Sequence, residues 1–219
     1  MHRLRRDNFA YKITLMTVFA CTEAARWQMI SPYPVQVAVN VSSIQLARDT
    51  FVDEVAQVLR RTGLYPGLLQ IELTESVMLN GTSRAAETMN RLHALGVSLA
   101  IDDFGTGYSC LGYLPKLPFD ALKIDRSFVN EIGSRPEIKA MVHSLVTLAH
   151  NLGMRVIVEG IETLTQLDLV TELGSNEVQG FLLGRPTADP ASQVHSRKEL
   201  SEFPNAEVIV ESSNSGQSS

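Results

Sequence analysis

The sequence predicts an α/β fold in which helices cover a parallel β-sheet. Short runs rich in β-branched residues alternate with longer segments of helical periodicity through the middle of the chain. Several predicted helices end at a glycine just before the next strand, at Gly63, Gly96, Gly153 and Gly174. No linker interrupts residues 30–186, so this region is predicted to be one domain.

The predicted elements alternate along the chain. Strands are predicted at 35–40, 68–73, 97–102, 121–125, 155–159 and 177–180. Helices are predicted at 14–29, 50–62, 82–95, 136–152 and 163–173, with a weaker one near 190–202. Each of the first three strands has one apolar face that can pack on helices, as with Val35, Val37 and Val39, and an opposite face that is small or polar.

The small or polar faces lead to polar side chains at the carboxyl ends of the predicted strands. These residues are Asn40, Glu72, Asp102, Lys123, Glu159 and Gln179. Ligands bind at this end of the strands both in open α/β sheets and in (β/α)8 barrels. One such residue is usually a cap or a satisfied core polar group, whereas six on one rim indicate an active site.

The composition excludes several classes of protein. The 219 residues are 44% hydrophobic and 20% charged, which is ordinary for a globular domain. A net charge of −5 argues against a surface that coats a nucleic-acid polymer. Two cysteines, Cys21 and Cys110, form no disulfide framework and predict a reducing, cytoplasmic location. The chain contains no apolar run near the roughly 20 residues of a membrane segment.

The acidic residues of the rim predict a metal site. Asp102 and Asp103 are adjacent at the end of a strand, where their charges repel each other unless a cation lies between them. All the rim acids and Asn40 offer oxygen ligands, which suit Mg²⁺ or Mn²⁺ better than zinc. Lys123 could hold a phosphate oxygen or orient a water, or simply pair with Asp125 or Glu159. This chemistry fits phosphodiester hydrolysis, and also proton abstraction beside a carboxylate.

Seven motifs then carry a resemblance to a known family. They are N-V-S-S-x-Q (40–45), I-E-L-T-E-S (71–76), D-D-F-G-T-G-Y-S (102–109), L-P-F-D-x-L-K-I-D-R-S-F (117–128), V-E-G-I-E-T (158–163), E-V-Q-G-F (177–181) and G-R-P (184–186). Together they resemble the EAL domain family of cyclic-di-GMP phosphodiesterases. The resemblance implies a TIM-like (β/α)8 barrel and hydrolysis of cyclic-di-GMP to the linear dinucleotide.

The resemblance also implies roles for individual residues around two Mg²⁺ or Mn²⁺ ions, with Ca²⁺ inhibiting. The implied metal ligands are Asn40, Glu72, Asp102, Asp103 and Glu159. Lys123 would hold the nucleophilic water or a phosphate oxygen, and Glu159 would be the general base. The implied supporting or substrate-binding residues are Glu75, Asp125, Glu162, Gln179, Arg185 and Pro186. Glu75 would steady the loop 104–109, through which a homodimer forms, and Arg185 and Pro186 would lie near a guanine.

The sequence departs from the family at its start. No E-A-L or E-V-L segment precedes Asn40, and six βα units are found where a closed barrel has eight. We therefore expect a barrel without its first two strands. The expected boundaries are a segment 1–13 outside the domain, an incomplete EAL domain at 14–203 and a disordered tail at 204–219.

The missing glutamate and strands leave two functional alternatives beside the active enzyme. The chain could be an impaired module that binds cyclic-di-GMP, or an inactive fragment. We expect this chain alone to bind metal weakly and to hydrolyse the dinucleotide poorly or not at all. We also expect unpaired edges on strands 35–40 and 177–180.

Overall fold

A parallel sheet forms the centre of the protein. The computed structural model describes residues 3–31, 34–75, 77, 83–105, 111–185 and 210–211. The strands are β1 (Val37–Asn40), β2 (Leu69–Thr74), β3 (Ser98–Phe104), β4 (Ala121–Ile124), β5 (Arg155–Val158), β6 (Glu177–Val178) and β7 (Val210–Glu211). Their order in the sheet is β6-β5-β4-β3-β2-β1-β7, and every neighbouring pair is parallel.

The predicted fold class is confirmed. Strands β1 to β6 follow one another across the sheet and curl into a half-barrel. Each of them lies within two residues of its predicted start and overlaps the predicted range. Within the described part of the chain, no strand precedes β1, as expected for a barrel without its first two strands.

One helix precedes β1, and others lie between most of the successive strands from β1 to β6. They are α1 (Arg3–Ile30), α2 (Ser43–Leu46), α3 (Phe51–Thr62), α4 (Ser83–Ala94), α5 (Arg126–Glu131), α6 (Pro136–Asn151) and α7 (Leu164–Glu172). Helix α1 begins at Arg3 rather than at residue 14, so much of the segment 1–13 continues the first helix. The weaker helix predicted near 190–202 lies outside the described residues.

The sheet has two different faces. The outer face and the helices share one apolar core, which includes Leu69, Leu99 and Leu122. The inner face carries a small separate cluster of Ala100, Ala121 and Ile157. Because two of these three side chains are alanine, the inner face leaves space above them for the longer polar side chains of the rim. No helix in the described ranges is long and apolar enough to span a membrane.

Two equivalent contacts hold the amino-terminal ends of the strands. Asp120 precedes β4 and accepts a hydrogen bond from the backbone N–H of Leu99 at 2.8 Å, while His93 of α4 lies 3.3 Å from its other oxygen. Asn176 precedes β6 and accepts from the N–H of Val156 at 2.7 Å, with His150 of α6 at 2.9 Å. These helix histidines thus act in structure, at the end of the sheet away from the rim.

Strand β7 differs from the prediction for the C-terminal tail. Val210 and Glu211 pair in parallel with Val37 and Ala38 on the outer edge of β1. The structure thus pairs these two residues within the predicted tail 204–219, and they partly cover the edge of strand 35–40. The run Val208–Ile209–Val210 is rich in β-branched residues and was the sequence signal for a strand. The remainder of segment 204–219 lies outside the described residues.

Candidate active site

A β-bulge brings the two adjacent aspartates together. Consecutive strand residues normally point to opposite faces, so the period of a regular strand would separate Asp102 from Asp103. The pairing of β3 with β4 shifts register between Ile101 and Phe104, and Asp103 adopts a left-handed conformation with φ of 54°. As a result, carboxylate oxygens of Asp102, Asp103 and Glu159 all lie within 4.8 Å of one another.

Glu159 joins this acidic cluster from the loop after β5. Its backbone N–H donates to the carbonyl of Ile124 at 3.0 Å, which extends the pairing of β4 and β5 by one residue toward the rim. Asp102 is buried, Glu159 is half-buried and Asp103 is exposed. The cluster therefore reaches from the floor of the rim to solvent, and a cation can approach it from the Asp103 side.

Lys123 is the cation among these acids. Its Nζ lies 2.8 Å from Glu72, 3.1 Å from Asp102 and 2.6 Å from Glu159, and its side chain is only 1% exposed. Burial alone would lower the pKa of Lys123, but the charges of the three carboxylates outweigh burial and raise the pKa well above its usual range. Lys123 is therefore charged near neutral pH and neutralises part of the rim. The contact with Glu159 realises one of the two ion pairs considered from the sequence.

Glu72 and Asn40 form the other part of the rim. They are register partners on β2 and β1, so they lie side by side at the ends of neighbouring strands. Glu72 is 1% exposed and Asn40 is exposed. Oε1 of Glu72 forms an ion pair with Nζ of Lys123 and accepts a hydrogen bond from Nε2 of Gln70 at 3.2 Å. Gln70 was not predicted as a site residue, although it faces the same side of β2 as Glu72.

Backbone hydrogen bonds connect the loop after β5 to the loop after β6. The N–H of Ile161 donates to the carbonyl of Gln179 at 3.0 Å, and the N–H of Leu182 donates to the carbonyl of Ile161 at 3.0 Å. Oε1 of Gln179 is buried and makes no hydrogen bond to any described residue. Glu162 is exposed at the end of the loop after β5, directly before the N-cap of α7. These contacts hold the loop that carries Gln179 against the loop that carries Glu159 and Glu162.

The other predicted residues take different positions. Glu75 is 5% exposed and directly follows β2. Asp125 is the N-cap of α5 and accepts a hydrogen bond from the N–H of Ser127 at 2.9 Å. The guanidinium of Arg185 stacks over the ring of Phe181 at 4.6 Å. Pro186 and loop residues 106–110 lie outside the described part of the chain.

The donor set fits a hard divalent cation. The described residues hold one group of three or more His, Cys, Asp and Glu side chains close enough to bind a metal, and all its members are carboxylates. Oxygen-only donors suit Mg²⁺, Mn²⁺ or Ca²⁺, whereas zinc prefers histidine or cysteine. The arrangement can therefore bind a metal ion and present it to a phosphate or carboxylate group.

Known proteins match most of this chain in sequence. The family model described as "EAL domain" matches residues 10–186. The bifunctional diguanylate cyclase/cyclic di-GMP phosphodiesterase MucR of Pseudomonas aeruginosa is 41% identical over 175 residues, which are 80% of this chain and 25% of MucR. The cyclic di-GMP phosphodiesterase NbdA of the same organism is 39% identical over 76% of this chain and 21% of NbdA.

Solved structures agree in fold. The PaMucR phosphodiesterase in complex with c-di-GMP is 38% identical with a TM-score of 0.78, over 84% of this chain and 74% of that chain. The EAL domain of Mycobacterium smegmatis DcpA is 40% identical with a TM-score of 0.77, over 83% of this chain and 82% of that one. The manganese/cy-diGMP complex of Klebsiella pneumoniae BlrP1 is 30% identical with a TM-score of 0.72, over 80% of this chain and 44% of that chain. The chain spans only 21% to 25% of the length of the first curated relatives.

Proposed function

Since this chain belongs to the EAL domain family, we propose that it is a metal-dependent phosphodiesterase domain that hydrolyses cyclic-di-GMP to the linear dinucleotide. The observation that carries the proposal is the convergence of Asp102, Asp103 and Glu159 beside Lys123. Relatives named for this activity, MucR and NbdA, support it. Proton abstraction beside a carboxylate, the alternative left by the rim chemistry, has no such support.

The proposed site holds two divalent cations, Mg²⁺ or Mn²⁺. Asn40, Glu72 and Asp102 would hold the first, and Asp102, Asp103 and Glu159 would hold the second. Bound cations of this kind polarise a phosphoryl group and lower the pKa of water. The manganese and calcium complexes of BlrP1 with cy-diGMP support divalent cations at a site of this type.

The protein's own groups would act on the substrate in three ways. The ammonium of Lys123 would hold a phosphate oxygen or the attacking water, since it is charged and fixed by three carboxylates. Glu159 would accept the proton of that water, since it is half-buried and reachable from solvent. Arg185 and Pro186 would contact a guanine, and Arg185 already lies over an aromatic ring.

A homodimer through the loop that follows Asp103 is part of the proposal. Loop residues 106–110 lie outside the described part of the chain, and the proposal rests on the resemblance alone. Leu111 and Tyr113, which follow this loop, are exposed by 46% and 50% and could contribute apolar contact area.

The test is hydrolysis and binding of cyclic-di-GMP by the purified chain, with the linear product separated by chromatography. Mg²⁺ or Mn²⁺ should give slow turnover, because no E-A-L glutamate precedes Asn40, and Ca²⁺ should support binding without turnover. Asp103→Asn should abolish turnover. The matched control Asp53→Asn, an exposed carboxylate on α3, should not change it. Binding without product in any metal would favour the non-catalytic module instead.

A further inference from the structure

Gln70 is a buried amide that donates a hydrogen bond to Glu72, a predicted metal ligand on the same strand. It lies two residues before Glu72 on β2 and is fully buried, with 0% exposure. Its Nε2 donates to Oε1 of Glu72 at 3.2 Å. The orientation of the amide is fixed by chemistry, since an ionised carboxylate only accepts hydrogen bonds and so must face the NH2 group.

The same side chain leaves a polar atom unsatisfied. Oε1 of Gln70 is buried and makes no hydrogen bond to any residue in the described ranges. Such an orphaned acceptor costs about 1–3 kcal/mol of stability. The inner face of the sheet also accepts apolar side chains, since Ala100, the register partner of Glu72, is buried there with Ala121 and Ile157. An apolar residue of similar size at position 70 would therefore fold at least as well.

A buried polar group that stability does not require points to a role in the site. Two donors, Gln70 and Lys123, converge on the one oxygen Oε1 of Glu72, and together they restrict rotation of that carboxylate. We propose that Gln70 is a positioning residue that holds the Glu72 carboxylate in the orientation needed to bind a metal ion. This inference rests on the proposed function, in which Glu72 is a metal ligand.

Ser98 offers a matched control. It is the register partner of Gln70 on β3, and its Oγ is likewise buried with no hydrogen bond to any described residue. Its Oγ therefore makes no hydrogen bond to a described carboxylate of the rim. Ser98→Ala thus removes an orphaned polar atom next to Gln70 and leaves the hydrogen bond to Glu72 intact.

The experiment measures Mn²⁺ binding, from the electron paramagnetic resonance signal of free Mn²⁺, and thermal unfolding without metal. Gln70→Met and Gln70→Leu should unfold at the wild-type temperature or above it, yet bind Mn²⁺ about 10–100-fold more weakly. Ser98→Ala should keep both the wild-type affinity and at least the wild-type unfolding temperature. Loss of affinity without loss of stability is the result that a purely structural role of Gln70 would not give.

Three outcomes would overturn the inference. Wild-type Mn²⁺ affinity in both Gln70 variants would contradict it and leave the proposed function standing. A large drop in the unfolding temperature of both variants would show that Gln70 serves the fold instead. A wild-type chain that binds no Mn²⁺ would contradict the proposed function, and this inference with it.

Discussion

The ammonium of Lys123 lies 2.6 Å from Oε1 of Glu159, and this ion pair joins the middle of one strand to the loop after its neighbour. Lys123→Met should remove the positive charge that lies within 3.1 Å of Glu72, Asp102 and Glu159. Removing one partner of a buried ion pair costs about 3–5 kcal/mol. Urea unfolding without metal measures this loss. Lys139→Met, which breaks an exposed ion pair with Glu172, should cost less than about 1 kcal/mol.

The contribution of Lys123 should persist into alkaline solution. The pKa of Lys123 is raised, because the three carboxylates outweigh the opposing effect of burial. A raised pKa means that the stabilisation is complete below the unfolded pKa of about 10.4 and is lost only as pH rises through the folded value. The difference in unfolding free energy between wild type and Lys123→Met should therefore stay constant from about pH 7 to about pH 10. A difference that shrinks across this range would contradict the charged pair.

Two uncharged substitutions of Asp103 should differ in their effect on stability. Its φ of 54° is a left-handed conformation that asparagine adopts readily and β-branched residues do not. Asp103→Asn should keep the unfolding free energy within about 1 kcal/mol of wild type and weaken Mn²⁺ binding. Asp103→Val should weaken binding and also lose about 1–3 kcal/mol of stability through backbone strain. Equal stability of the two variants would show that the bulge is not under this constraint.

Asp125 should matter to the fold in a pH-dependent way. Burial raises the pKa of this N-cap carboxyl, but the hydrogen bonds from Ser127 and Arg126 and the charge of Arg126 together outweigh burial and lower the pKa below its usual value. A lowered pKa means that the stabilisation is present above the unfolded pKa of about 3.9 and is lost as pH falls through the folded value. Asp125→Ala should cost about 0.5–2 kcal/mol near neutral pH. Unfolding measured in increasingly acidic buffer should show the two chains converge.

The strands and most rim residues could be predicted because both follow from local pattern. Short runs rich in β-branched residues predicted strands β1 to β6, and the ends of the predicted strands pointed to Glu72, Lys123 and Glu159. The bulge at Asp103 could not be predicted, since it depends on the register between β3 and β4, which no single strand encodes. Helix α5 was missed because six residues are too few to show a helical period. Gln70 was missed because its role appears only from its hydrogen bond to Glu72.

Gly180 should be indispensable for the position of the rim loops. A Cβ atom at this position would overlap the backbone nitrogen and oxygen of Ile161, and backbone cannot move aside as a flexible side chain can. The same stretch of Ile161 backbone forms the hydrogen bonds that connect it to Gln179 and Leu182. Gly180→Ala should therefore separate the two loops, with a loss of about 1–3 kcal/mol in unfolding free energy from overpacking.

Separating the loops after β5 and β6 should also displace Glu159 from the acidic cluster, because Glu159 lies two residues before Ile161 in the same loop. We expect Gly180→Ala to weaken Mn²⁺ binding as well as stability. Gly112→Ala is the matched control, since a Cβ there meets nothing within 4 Å, and it should change stability by less than about 0.5 kcal/mol and leave Mn²⁺ binding unchanged. If Gly180→Ala matched this control in both measurements, the close packing of the two loops would not be what positions Glu159.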